Sequence, residues 1–204
     1  VIIKSDECGN TIWAKKWNNA SEGFRFYKVV QMKVLEENEE KYRYVVNAYD
    51  GENWLIFCVD NMGDLLWSRI LSVRDEDMHN FIVPNTEGNA FYYIYSDKND
   101  QDNTPTPTVL LFDIDGKLLN STSINISGSH DGIVINAARS NHNKLVLAGR
   151  TVGLGGTIID LQEDLTLNRV IQISTPNISI QDVLIPNNDE YIVSAYSVKE
   201  GGVI

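Results

Sequence analysis

Apolar residues occur along the chain in short runs that polar turns separate. The run from Trp54 to Val59 is flanked by Asn and Asp, and the run from Val109 to Phe112 is followed by Asp-Ile-Asp-Gly. Runs of this length that are rich in Val, Ile and Tyr and bounded by Gly, Asn or Asp are typical of β-hairpins. No segment keeps an apolar period of 3.6 residues. The pattern therefore predicts an all-β chain.

One hairpin recurs at a period of about fifty residues. Each copy is an apolar strand, a tight turn that usually contains Gly, and a second strand that carries Trp in the first two copies. The turn positions are Gly9, Gly63, Gly116 and Asp164. A second pair of apolar strands separates consecutive copies, so each repeat holds four short strands.

Four-stranded units at this period predict a β-propeller, in which each blade is a twisted antiparallel sheet. We expect residues 1–204 to form a single propeller segment and to belong to a larger ring, with closure as four blades and an ordinary β-sandwich as the alternatives. In the first full blade the strands are expected at 29–32, 42–49, 54–59 and 65–70. The full blades are 28–70, 81–124 and 133–173, flanked by the end of one blade at 1–17 and the start of another at 183–204.

Two of the hairpins also resemble a known repeat. The segments 6–15 and 60–69 are close to the pattern D-x-x-G-N-x-x-W-[SA]-K, which is similar to propeller repeats of secreted and cell-surface bacterial proteins, notably of Bacteroidetes, and more distantly to quinoprotein-type propellers. Segment 189–197 resembles the second hairpin of that repeat. The resemblance implies a propeller and an extracellular or cell-surface location, without fixing an activity.

Within such a repeat, Trp and Gly have structural roles. We expect Trp13 and Trp67 to pack between blades, since each buries a large aromatic area, and sugar stacking is the alternative. Later copies carry Asn120 and Asn168 in place of Trp. The structural repeat residues are Gly9, Trp13, Gly63, Trp67 and Gly116.

The net charge limits the classes of partner that we expect. The 204 residues include 17 Lys and Arg against 28 Asp and Glu, a net charge of −11 at pH 7. Such a chain repels phosphate backbones and anionic lipid, so we expect no nucleic acid partner. Apolar runs are strand-sized, so we expect no membrane insertion either. The expected partners are a protein or glycan ligand, or other subunits or blades of the same assembly, and Cys8 and Cys58 are expected to be free thiols.

The loops on one face of a propeller form its usual ligand platform. The candidate binding residues on this face are Arg25, Asp50, Asp77, His79, His130, Asp131, Arg150 and Asp182. Carboxylates dominate this set, which favours a cation or a hydroxyl-rich ligand. His79 and His130 hold equivalent places in successive blades, and solvated loop histidines are favoured over a metal-binding pair.

A second candidate lies in the segment 97–103, which has oxygen ligands at alternating positions, as calcium loops do. The weak metal candidates are Asp97, Asn99, Asp100 and Asp102. The segment lacks the glycine and the closing Glu of an EF-hand, so a solvated loop is the favoured interpretation. No cofactor is predicted, and calcium is the alternative.

The catalytic motifs G-x-S-x-G and H-E-x-x-H and the P-loop do not occur in the sequence. We therefore expect an extracellular, non-catalytic propeller module for binding or adhesion, or a scaffold within a larger surface or secreted assembly. The alternative is a glycosidase- or lyase-type enzyme that uses paired platform carboxylates about 5–10 Å apart.

Overall fold

The computed structural model describes residues 1–16, 24–36, 39–71, 80–98, 105–125, 132–173, 175 and 177–197. Among these residues there are sixteen β-strands and no helix, which confirms the all-β prediction. The strands are β1 Ile2–Ser5, β2 Thr11–Lys15, β3 Arg25–Glu36, β4 Glu39–Tyr49, β5 Trp54–Val59, β6 Leu65–Leu71, β7 Phe81–Pro84, β8 Ala90–Lys98, β9 Pro105–Asp113, β10 Leu118–Ser123, β11 Ile133–Asn141, β12 Lys144–Thr151, β13 Gly155–Gln162, β14 Leu167–Gln172, β15 Ile178–Leu184 and β16 Ile192–Ser197.

Every sheet is antiparallel and is built from consecutive strands. Three sheets hold four strands each, in the orders β3-β4-β5-β6, β7-β8-β9-β10 and β11-β12-β13-β14. β1 pairs with β2, and β15 with β16, in two further sheets. The predicted four-stranded antiparallel units are therefore confirmed.

The hairpins β1–β2, β5–β6, β9–β10 and β13–β14 turn in the same way. The last turn residue has a positive φ of 85°, 80°, 78° and 72° at Gly9, Gly63, Gly116 and Leu165, respectively. Glycine adopts this conformation at little cost. Just beyond each turn the strand register skips one residue, which is a β-bulge. The turn residue of the fourth copy is thus Leu165, and the sequence alignment on Asp164 was wrong by one position.

The chain forms two compact units. The first comprises Val1–Arg74 with Ile114–Gly116, and the second comprises Asp75–Asp113 with Lys117–Ile204. In the first unit, one face of the β3–β6 sheet buries a cluster centred on Val46, Ala48 and Phe57. Ile2 of β1 and Trp13 of β2 pack against this cluster, so the two sheets of the unit share a core.

Two apolar clusters of described residues lie in the second unit. One joins the β7–β10 and β11–β14 sheets through residues such as Tyr92, Ile94 and Leu147. The other joins the β11–β14 sheet to β15–β16 through residues such as Val146 and Ile180. Each sheet of this unit therefore packs on the next one in the sequence.

Some strand limits differ from those predicted. β5 has the predicted limits, whereas β3 extends from Arg25 to Glu36 instead of covering 29–32. β15 begins at Ile178, before the predicted start of that hairpin at 183. Both additions are rich in polar residues, which the search for apolar runs does not detect. Cys8 is an exposed free thiol and Cys58 a buried one, as predicted.

Candidate functional site

Two predicted platform residues of the first unit lie at the same end of the β3–β6 sheet. Arg25 pairs with Tyr49, and Asp50 follows directly in the β4–β5 turn. The Oδ1 atom of Asp50 accepts the backbone N–H groups of Glu52 and Asn53, at 2.9 and 2.7 Å. The Asn53 amide is the main reason that the pKa of Asp50 lies below its usual value. Asp50 therefore stabilises its own turn.

Two platform residues of the second unit lie apart from each other. Asp182 lies inside β15 instead of in a loop, and it forms an ion pair with Arg139 of β11 at 3.0 Å. Arg139 pairs with Val146 of β12, and Arg150 is four residues farther along that strand, a distance of about 13 Å. The structure does not bring Arg150 and Asp182 together.

The remaining platform candidates, Asp77, His79, His130 and Asp131, lie outside the described residues. So do the metal candidates Asn99, Asp100 and Asp102, and the side chain of Asp97 is not described. In the described part of the chain, no three His, Cys, Asp or Glu side chains are placed to hold a metal ion. Nothing in the described residues tests calcium binding at 97–102, which was the alternative to a solvated loop.

Among the described residues, a polar contact recurs four residues after each turn residue, at what we call the donor position. Trp13 and Trp67 donate their indole N–H to the carbonyls of Asn61 and Ile114, both at 2.9 Å. The Asn120 amide donates to the Asp164 carbonyl at 2.6 Å. In all three cases the acceptor lies in a later hairpin turn, 44–48 residues on.

In the fourth hairpin, Arg169 occupies the donor position. The register skips Asn168 and pairs Arg169 with Asp160, so the expectation that Asn168 replaces Trp was wrong by one residue. The Arg169 Nη2 atom lies 2.8 Å from the Tyr191 hydroxyl and 3.5 Å from the Asn188 carbonyl. It thus reaches the turn of the β15–β16 hairpin.

Arg169 belongs to a charged cluster that the sequence analysis missed. The fully buried Asp160 accepts hydrogen bonds at Oδ2 from Arg169 Nε at 3.2 Å and from the Tyr191 hydroxyl at 2.5 Å. Lys144 Nζ lies 3.7 Å from the same oxygen and donates to the Asn188 carbonyl. Lys144 and Arg169 also lie over the Tyr191 ring. The cluster joins β12, β13 and β14 to the β15–β16 hairpin.

The first unit contains a groove that the sequence analysis also missed. The β4–β5 register begins at Tyr44, which pairs with Val59, so β4 residues 39–43 continue beyond the end of β5. Five residues of strand span about 16 Å. A cavity of about 500 Å³ lies beside this extension, lined by residues 40–43, by residues 60–62 of the β5–β6 turn and by Leu66.

Three charged side chains of this groove have partners that the structure shows. Glu40 forms an ion pair with Lys33, and Arg43 forms one with Asp115 at 2.7 Å. The Oδ1 atom of Asp60 accepts the backbone N–H groups of Met62 and Asp64, at 2.8 and 2.9 Å. Glu40, Arg43 and Asp60 are therefore each held by a neighbour of opposite sign or by turn amides.

Apolar side chains of the groove are exposed. Met62 is 64% exposed, Leu66 45% and Tyr42 38%. Leu66 is the residue that the β-bulge of its hairpin skips. The strand lengths could not have been read from apolar runs, because 39–43 has the charged sequence Glu-Glu-Lys-Tyr-Arg.

Comparisons with known proteins add no family. No family model matches the chain, and no curated protein is significantly similar to it. Within the described residues, no helix has the length and hydropathy of a membrane span.

Proposed function

We propose that the chain is a segment of a β-propeller and acts as a non-catalytic module for binding or adhesion, or as a scaffold within a surface or secreted assembly. The observation that carries this proposal is the donor position, which links each hairpin to a later hairpin turn. A link repeated in this way supports a stack of sheets related by one operation, as in a propeller. The proposed setting is extracellular or at the cell surface, with a protein or glycan ligand or other blades as partners.

The packing inside each unit supports the same interpretation. β1–β2 shares a core with the β3–β6 sheet in the first unit. In the second unit, the three consecutive sheets pack in the order of the sequence. Twisted antiparallel sheets stacked in chain order are the building principle of propeller blades.

The described platform carboxylates favour a structural role over catalysis. A glycosidase acid needs a raised pKa and a partner carboxyl about 5–10 Å away. The pKa of Asp50 is lowered by the turn amides, chiefly that of Asn53, and Asp182 is held by Arg139. Both carboxylates therefore make contacts that stabilise the fold.

A polysaccharide panel tests the proposal. The chain is assayed for release of reducing or unsaturated sugar ends and, in parallel, for binding by affinity electrophoresis. We expect no turnover on any member of the panel. If the wild-type chain turns over a polysaccharide and Asp50→Asn, Asp131→Asn or Asp182→Asn abolishes that turnover, the non-catalytic module is contradicted and the enzyme alternative is supported. Loss of binding in these variants, in the absence of turnover, would support the module.

A further inference from the structure

We propose that the extended edge of β4 is a docking site for an extended, uncharged peptide segment of a partner protein, which adds a strand where β5 ends. This inference rests on the proposed binding role and names its site and partner class. The groove is the space that β5 would fill if it were as long as β4. An added strand there would lie beside residues 40–42 and over Met62 and Leu66.

The backbone geometry favours a strand as the occupant. Glu40 and Tyr42 pair with Leu35 and Lys33 of β3 on one side. On the other side, β5 has already ended at Val59. In a β-strand, alternate residues direct N–H and C=O groups to opposite sides, so a strand edge of this length offers a row of donors and acceptors to an incoming backbone.

The side chains select for apolar residues in the partner. Two cations, Lys41 and Arg43, and two carboxylates, those of Glu40 and Asp60, line the groove, so little net charge is left to attract a charged ligand. Met62 and Leu66 are exposed aliphatic side chains beside the edge, and covering them removes apolar surface from water. Alternate Val or Leu side chains of an added strand would lie over these two residues.

The chain also supplies a matched control for Leu66. Leu119 is the residue that the bulge skips in the β9–β10 hairpin, as Leu66 is in β5–β6. The two side chains are similarly exposed, at 51% and 45%. Leu119 does not line the groove. The same substitution at both positions therefore separates the groove from the general effect of removing an exposed leucine.

The first test measures binding of a fluorescein-labelled, eight-residue peptide in which Thr alternates with Val or Leu, by fluorescence anisotropy with the full chain. We expect a Kd below about 1 mM, and a Kd at least about tenfold higher for Leu66→Glu and for Met62→Glu. Leu119→Glu should bind as the wild type does. Circular dichroism shows that each variant is folded. No binding by the wild-type chain up to about 1 mM, or equal weakening by Leu119→Glu, would refute the site.

The second test separates backbone pairing from apolar contact. Two peptides carry N-methyl groups, one on the Thr amides and the other on the Val and Leu amides. Because alternate amides point to the same side of a strand, we expect one peptide to lose binding and the other to keep it. Equal binding by both peptides and the parent would overturn strand addition.

Two other results distinguish this inference from its premise. A concentration-dependent dimer in sedimentation experiments that Leu66→Glu dissolves would make a second copy of the chain the occupant, which would overturn the peptide proposal. The polysaccharide assay depends on the carboxylates and not on Leu66. Failure of the peptide site therefore leaves the non-catalytic proposal standing, and glycan turnover would leave the peptide titration unchanged.

Discussion

The donor position is aromatic in the first unit and polar in the second. Trp13 and Trp67 each combine a single N–H donor with a large apolar ring, whereas Asn120 and Arg169 supply hydrogen bonds with little apolar surface. The place of the donor in the hairpin is kept although the side chain changes. The repeat thus constrains where a hydrogen bond starts and ends more strongly than it constrains the residue that makes it.

The turn residue changes together with the donor. A Cβ atom at Gly116 would lie 2.8 Å from the Trp67 ring, and one at Gly63 would lie 3.0 Å from the Trp13 ring. The turn that receives Asn120 has Leu165 at the equivalent place, buried and packed into the core of the second unit. The smaller amide leaves room for a side chain where the indole requires glycine. Trp with Gly and Asn with Leu are two solutions to the same packing problem.

The largest expected effect is on the charged cluster around Asp160, which joins the fourth hairpin to the β15–β16 hairpin. Asp160→Ala leaves the buried Lys144 without its carboxylate, and Arg169 and Tyr191 without their shared acceptor. We expect a loss of about 3–5 kcal/mol in the free energy of unfolding of the second unit, measured by urea denaturation. Asp182→Ala breaks a half-exposed ion pair in the same unit and should cost less than about 1 kcal/mol. Similar costs for the two variants would show that the cluster does not hold the hairpin.

At the aromatic donor positions, burial of the indole ring should contribute more to stability than the indole hydrogen bond does. Trp67→Ala is expected to lower the free energy of unfolding of the first unit by about 2–4 kcal/mol. Trp67→Phe keeps most of the ring and should cost about 1 kcal/mol. Asn120→Ala, at the exposed polar position, is also expected to cost about 1 kcal/mol. Denaturation that is monitored by hydrogen exchange in each unit measures these values. An Asn120→Ala cost equal to that of Trp67→Ala would remove the distinction between aromatic and polar donors.

The turn glycines provide a smaller, graded test. Gly9→Ala meets no atom within 4 Å and carries only the cost of a positive φ, about 1 kcal/mol. Gly116→Ala has the same backbone cost and also displaces the Trp67 ring. We expect Gly116→Ala to lower the melting temperature more than Gly9→Ala does. The reverse order would mean that the indole does not lie against the turn.

The smallest expected effect is acid sensitivity of the turns. The pKa values of Asp50 and Asp164 are lowered, chiefly because the backbone amides of Asn53 and Thr166 donate to them. The unfolded chain therefore takes up protons first, and the stability from these contacts is complete above about pH 3.9 and decreases as the pH falls below it. Asp50→Asn with Asp164→Asn should flatten the dependence of stability on pH between about 4 and 2. An unchanged slope would contradict the assigned role of these carboxylates.

The sequence predicts the repeat well where the core requires apolar residues. β5 has the predicted limits because both its faces are largely buried, so its side chains form a continuous apolar run. In the first three copies, a glycine turn marks the last two strands of the repeat. Where the glycine is replaced, as at Leu165, the alignment slipped by one residue, and only the strand register shows that Arg169 is the donor.

The candidate sites were harder to predict, because the residues that form them share no pattern in the sequence. Asp160 and Tyr191 come from different hairpins, and a lone Asp within an apolar strand does not reveal its partners. The groove depends on the difference in length between β4 and β5, and residues 39–43 have no apolar alternation. Asp182 was expected in a loop because polar residues interrupt the start of β15.

The two cysteines differ in how readily a reagent reaches them, and this difference can be used to measure opening of the β3–β6 sheet. Cys58 lies in the middle of the β3–β6 sheet, and burial raises the pKa of its thiol to about 12, whereas Cys8 is exposed in a turn. A maleimide reagent will alkylate Cys8 in the native chain and will reach Cys58 only when that sheet opens. The rate at which the second label is incorporated therefore reports the opening of the sheet that carries the groove, without any engineered probe.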